Sequence, residues 1–229
     1  MKTYVIASIK EWNVKAFYRR RSLLPGRWLV ITDERDLTLE FIQAVSPRYI
    51  FFMHWSSLVP SDVVASVECV CFHMTDVPYG RGGSPLQNLI LRGHTDTRLT
   101  ALRMTEELDA GPVYGKLTLN LTGSATDIFA RCAELGLDLV EWIAREEPHP
   151  EPQVGEPVVF RRREPNQSAM PRAASPEQIY DHIRMLDAES YPRAFVDHGT
   201  LRYTFSDARL VDDSVDARVR ITIRNEPPT

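Results

Sequence analysis

The chain has 229 residues, with 27 Lys+Arg against 31 Asp+Glu and a formal net charge of −4, enough for one large domain or one domain with an appendage. At 43% hydrophobic and 25% charged residues the composition is that of an ordinary globular protein, which excludes a repeat array, a disordered chain and, with its mildly acidic balance, a general nucleic-acid binder. The longest apolar runs are too short to span a bilayer, and Met1-Lys2 leads straight into a strand-like segment, so the expectation is a soluble, cytoplasmic protein with no membrane partner.

TYVIAS (3–8) is an apolar, β-branched run that reads as a strand, and EWNVKAFYRRR after it has amphipathic helical spacing, ended by Leu24-Pro25-Gly26. RWLVIT (27–32) is a second strand. DLTLEFIQAVS then places Leu37, Phe41, Ile42 and Val45 at helical spacing and stops at Ser46-Pro47. RYIFFM (48–53) is a third, wholly apolar strand; Pro60 and Asp62 open a short helix, and VECVCF (67–72) is a fourth strand. Near-continuous apolar strands separated by short helices require a sheet covered on both faces, so the predicted class is α/β, a doubly wound, mostly parallel, Rossmann-like sheet. Ligands of such sheets bind outside the carboxyl ends of the strands, which directs attention to the segments after Met53 and Phe72.

Ser84-Pro85 starts a helix that runs to Arg92-Gly93, and TRLTALRM (97–104) and PVYGKLTLNL (112–121) read as neighbouring strands. Ser124 and Asp127 form a near capping box for a long helix with one apolar stripe that includes Ile128, Cys132, Leu135 and Leu139. Seven prolines fall between 147 and 176, which marks either an extended linker or a loop that wraps back onto the core. Ser175-Pro176-Glu177-Gln178 caps a further helix, and antiparallel strands follow. The expected organisation is a main domain over 1–147, a Pro-rich linker over 148–175 and a small C-terminal helix-plus-strands appendage over 176–229.

The usual nucleotide fingerprints fail. IKEWN after the first strand contains no glycine, so there is no G-x-G-x-x-G, and Gly80-Arg81-Gly82-Gly83 lacks the Lys-Ser/Thr of a phosphate loop. There is no G-x-S-x-G nucleophile elbow. Cys69, Cys71 and Cys132 are odd in number, and neither Cys-x-x-Cys nor His-x-x-x-His occurs, so neither a disulfide scaffold nor a metal site is expected. Arg19–Arg21 and Arg161–Arg163 read as solvated surface, as do His94, His149, His182 and His198. What remains is His73 at a strand's carboxyl end before a Gly/Pro loop, followed by Leu108-Asp109-Ala110-Gly111.

HMTDVPYGRGGSP (73–85) with LDAG (108–111) resembles the motif His-x-Ser-Leu-Leu-Pro-x-Tyr-Arg-Gly-x-x-Pro plus Asp-x-Gly of the folate-dependent formyltransferases, the family of methionyl-tRNA, glycinamide ribonucleotide and sugar N-formyltransferases. The resemblance is strong over 48–123 and weak over 161–195. FFMHWSSLVP and CVCFHMTDVPYGRGGSPLQNLILRGH are most like the sugar N-formyltransferases of the pseudaminic acid type. The resemblance implies a formyltransferase catalytic domain, 10-formyltetrahydrofolate as co-substrate and no metal. It carries His73 and Asp109 over as catalytic residues. The family's catalytic Asn is replaced by Cys71, and a thiol is only a weak donor; His54, after the third strand, is the candidate replacement.

In such a reaction an amine attacks the formyl carbon and an oxyanion must be stabilised, which is work for a histidine oriented and charged by a carboxylate. Met53, Trp55, Leu58 and Asp109 are expected to line the folate site, and Thr75, Asp76, Tyr79, Arg81 and Gly82 the acceptor site. The expected acceptor is the amine of a nucleotide-linked amino sugar, a small molecule rather than a nucleic acid, because the chain is acidic and no basic C-terminal domain for gripping tRNA is evident. The alternatives are a methionyl-tRNA formyltransferase-like enzyme, a formyl-folate hydrolase, and a folate-binding protein whose active site has decayed.

Overall fold

The computed structural model describes residues 1–189 and 191–224. Strands β1 (Thr3–Ala7), β2 (Arg27–Ile31), β3 (Tyr49–Phe52) and β4 (Cys69–His73) alternate with helices α1 (Glu11–Arg20), α2 (Leu39–Val45) and α3 (Ser61–Ser66). β5 (Tyr79–Gly82) and α4 (Pro85–Ile90) follow, then β6 (Asp96–Arg103), β7 (Val113–Asn120) and the long α5 (Ala125–Glu146). Beyond lie β8 (Val158–Phe160), α6 (Pro176–Arg184), β9 (Phe195–His198), β10 (Leu201–Val211) and β11 (Ser214–Ile223).

The main sheet has the order β2-β1-β3-β4-β6-β7. β1 pairs in parallel with β2 and β3, β3 pairs in parallel with β4, and β6 returns antiparallel to β4. The doubly wound, mostly parallel α/β class is therefore present, and the physical cause is visible along β1. Successive side chains of a strand point to opposite faces. Val5 and Ala7 enter a cluster with Leu37, Ile42 and Val63 of the α2–α3 side. Tyr4 points the other way, where its ring stacks 4.8 Å from Trp28 and its hydroxyl donates to Ala144 O of α5. A strand buried on both faces has no polar side to alternate with, hence the unbroken apolar runs.

The order reverses between β1 and β3: from β1 the chain moves to β2 on one side and to β3 on the other. That topological switch point opens a crevice at the carboxyl ends of the strands, the same edge at which His54 and His73 leave β3 and β4.

The described chain falls into two compact units, one of 1–82, 97–119 and 130–159, the other of 83–96, 120–129 and from 160 on. These cross the expected boundaries at 147 and 175, and the hydrogen bonds give the reason. Within the first unit the proline-rich stretch wraps back onto the core: Glu151 exchanges backbone bonds of 2.8 and 2.7 Å with Val113, and Val158 N–H donates to Pro78 O. This extended backbone supplies β8, which pairs with β5; neither strand is evident from periodicity. Within the second unit Gln87 Nε2 donates to Met185 O, and Arg184 donates to Leu121 O and Gly123 O, so α4 and the turn before α5 associate with the tail. The tail carries the antiparallel sheet β11-β10-β9. His182, expected at the surface, is buried with Nε2 3.2 Å from Ser168 O. The last five residues of the expected appendage, 225–229, lie outside the described residues.

Candidate active site

Cys71 and His73 are two apart on β4 and therefore share a face. His73 is 8% exposed. Its Nε2 lies 2.7 Å from Gly80 O and its Nδ1 3.5 Å from Asp109 Oδ2. Gly80 O accepts only, so Nε2 carries a proton; Nδ1 faces a carboxylate that also accepts only. A ring protonated on both nitrogens satisfies both contacts.

The loop geometry that brings Asp109 there depends on particular backbone. Gly80 and Gly82 adopt φ of +80° and +99°, and Gly82 N–H donates to Asp109 Oδ2 at 2.9 Å. Asp109 itself sits at φ +54°, a left-handed conformation that Asp adopts more readily than most residues. Gly111 comes so close to β6 that a Cβ there would lie 1.8 Å from Arg103 O. Gln153 Nε2 then donates to both Asp109 O and Gly111 O at 2.8 Å.

The other expected residues occupy varied places. Arg81 donates through Nε and Nη2 to Gln153 Oε1 and through Nη1 to Glu107, so its guanidinium braces the Asp109 loop. Thr75 is fully buried, its hydroxyl bonded to Gly80 O and its carbonyl accepting from Thr100, a supporting position under the loop rather than one open to ligand. Asp76 is exposed and paired with Lys116, while Tyr79 is half-buried. Met53 is buried, its methyl packed near Gly136 of α5. Leu58 is 93% exposed. Trp55 is half-buried, edge-on to Phe52 at 5.7 Å, and its Nε1 is buried without a hydrogen-bond partner.

His54 belongs to a separate polar cluster. Its backbone is left-handed at φ +50°, and its Nδ1 lies 3.1 Å from Asn13 Nδ2. Burial, aided by the charge of Lys10, lowers its pKa to about 4, so the ring is neutral at physiological pH. Burial, with Asp109 nearby, pushes the Cys71 thiol well above its ordinary range. A protonated, buried thiol is a small packing group and a poor donor. Cys71→Ser is expected to keep turnover within about threefold of the parent; a folded but inactive Cys71→Ser protein would give the sulfur a chemical role.

Two participants escaped the sequence reading. Gln153 lies in a proline-rich stretch with no periodicity to mark it. Asn13 was legible in part, because it shares a helical face with Ala16 and Phe17, all three buried. Among the described residues no helix is long and apolar enough to cross a membrane, and no group of three or more His, Cys, Asp or Glu is placed to hold a metal ion.

The family described as methionyl-tRNA formyltransferase, C-terminal domain, matches residues 165–222. A solved structure named methionyl-tRNA formyltransferase from Clostridium thermocellum is 39% identical, covers 97% of this chain and 100% of its own, and superposes with a TM-score of 0.94. The methionyl-tRNA formyltransferase of Campylobacter fetus is 29% identical over 110 residues, 48% of this chain and 36% of that protein; the chain thus matches about a third of the length of the first curated relatives. HypX of Aquifex aeolicus, solved in complex with tetrahydrofolic acid, shares the fold at 18% identity, with a TM-score of 0.74 over 90% of this chain and 37% of that one.

Proposed function

The chain belongs to the formyltransferase family, and from that premise we propose that it transfers a formyl group from 10-formyltetrahydrofolate to the amine of a compact, nucleotide-linked amino sugar. The observation that carries the reading is His73 held between Gly80 O and Asp109 at the carboxyl end of β4, in the family's order of residues.

Folate fits the residues present. A pterin is a flat ring with a polar edge, and Trp55, Val59, Cys71 and Met104 are partly buried apolar side chains packed on one core cluster, with the Trp55 Nε1–H among them lacking a partner. HypX provides a second support, since it holds tetrahydrofolic acid on the same fold. When bound, the folate supplies the formyl group. The chain's own part is to place charge and protons: the His73 ring stabilises negative charge developing beside it, Asp109 orients that ring, and Gly82 N–H fixes Asp109. Proton relay between the attacking amine and Asp109 through water completes the assignment.

Charge bears on the acceptor. The 165–222 segment carries seven arginines and no lysine against nine Asp and Glu, a net of −2. A surface that grips a polynucleotide must instead neutralise several phosphates. The names of the relatives favour methionyl-tRNA as the second reading. A side-by-side assay decides between them: turnover with a nucleotide-linked 4-amino-deoxysugar is expected to far exceed turnover with methionyl-tRNA at equal donor. Equal or better use of the tRNA overturns the sugar assignment. A calorimetric titration with tetrahydrofolate tests the donor separately, and absence of binding at millimolar ligand refutes it.

A further inference from the structure

The side-chain amide of Gln153, in the proline-rich stretch, has its whole hydrogen-bonding capacity in use. Nε2 donates to Asp109 O and to Gly111 O, each at 2.8 Å. Oε1 accepts from Arg81 Nε at 3.1 Å and from Arg81 Nη2 at 2.9 Å. Two carbonyls that only accept and a guanidinium that only donates fix which end of the amide is which. The side chain thereby ties β5, which carries Arg81, to the 107–111 loop. That tie falls beside the His73–Asp109 pair: Gly82, the residue after Arg81, donates its N–H to Asp109 Oδ2 at 2.9 Å, and the same oxygen lies 3.5 Å from His73 Nδ1. Asp109 needs an outside hold, because its backbone is left-handed at φ +54° and such a conformation persists only where the surrounding structure imposes it. Gln153 is itself seated from both sides by backbone, since Glu151 exchanges bonds with Val113 and Val158 N–H donates to Pro78 O.

We infer that Gln153 is a positioning residue: by holding the main chain at Asp109 and Gly111 against Arg81, it sets where the Asp109 carboxylate meets Gly82 N–H and His73. It acts through Asp109, and a displacement of about 1 Å in such a group can cost about a hundredfold in rate. The rate consequence rests on the formyl-transfer reading, whereas the hold on the Asp109 loop does not.

The test therefore has two readouts. Gln153→Glu keeps the length of the side chain and an oxygen for Arg81, but sets its second oxygen against Asp109 O and Gly111 O, acceptor against acceptors. Backbone amide exchange followed by NMR in the intact chain is expected to show Gly82 N–H protected in the parent and exchanging roughly tenfold faster or more in the variant. The amides of Val113, Glu151 and Val158 are expected to keep their protection, because their bonds do not run through the Gln153 side chain. Formyl transfer should fall roughly ten- to a hundredfold in kcat, with the donor KM within about twofold of the parent. In an Asp109→Asn background the same substitution should cost no more than about a further twofold, since a residue that acts through the carboxylate then has nothing left to position. Gln153→Met, uncharged and of similar length, takes its place with the same expectations if thermal melting shows Gln153→Glu to be unfolded. Unchanged Gly82 exchange, release of Val113 and Val158 together with Gly82, parental kcat, or losses that multiply independently in the double variant overturns the inference. A parent chain that transfers no formyl group refutes the function, and Gly82 exchange then decides the role of Gln153 by itself.

Discussion

Asp109→Asn and His73→Ala are each expected to lower formyl transfer by ~10²- to 10⁴-fold, the usual contribution of a positioned acid or base, while the protein melts as the parent does. The Asn variant is the sharper of the two. Its amide oxygen can still accept from Gly82 N–H, so the loop is retained. That same oxygen position is the one 3.5 Å from His73 Nδ1, so the contact is kept while the negative charge beside the ring is lost. The loss should therefore appear in kcat with little change in the donor KM, as for an interaction made in the transition state. Stopped or steady-state assays of both variants check this, and near-parental turnover in either one removes the assignment.

Gly111→Ala is expected to be the most damaging single methyl group in the molecule. Its Cβ would lie 1.8 Å from Arg103 O, and a backbone carbonyl at the end of a central strand cannot move aside as a flexible side chain can. The 107–111 loop must shift instead, which strains the Gln153 bonds to Asp109 O and Gly111 O and draws Asp109 away from His73. Overpacking costs about 1–3 kcal/mol, so a fall in Tm of roughly 2–12 °C is expected for a chain of this size, together with loss of formyl transfer. Gly93→Ala is the control. It also lies at positive φ, +77°, but nothing stands within 4 Å of its Cβ, so only the conformational penalty of about 1–2 kcal/mol applies and activity should persist. A Gly111→Ala protein with parental melting and turnover would show that the loop tolerates displacement.

The sequence by itself determined the doubly wound core. Apolar runs at 3–8, 27–32, 48–53 and 67–72 could only be strands buried on both faces, because a half-exposed strand would alternate. His73 stood out at a strand's carboxyl end before a Gly/Pro loop, and the resemblance of HMTDVPYGRGGSP and LDAG to the formyltransferase motif joined Asp109 to it. Only the tertiary structure decided what each side chain faces. Arg81 has the chemistry to pair with a phosphate, and only the tertiary structure shows that Gln153, 72 residues away, and Glu107 bond its guanidinium. Thr75 looked like a loop hydroxyl and is buried under Gly80 O. His54 and Asn13, 41 residues apart, meet because β1 and β3 are neighbours across the switch point. Residues 151 and 158 of the proline-rich stretch pair through their backbone groups with Val113 and Pro78. Periodicity records which face of an element is apolar; the partner of a polar group is set by strand order and loop closure, which bring together residues whose separation along the chain carries no signal.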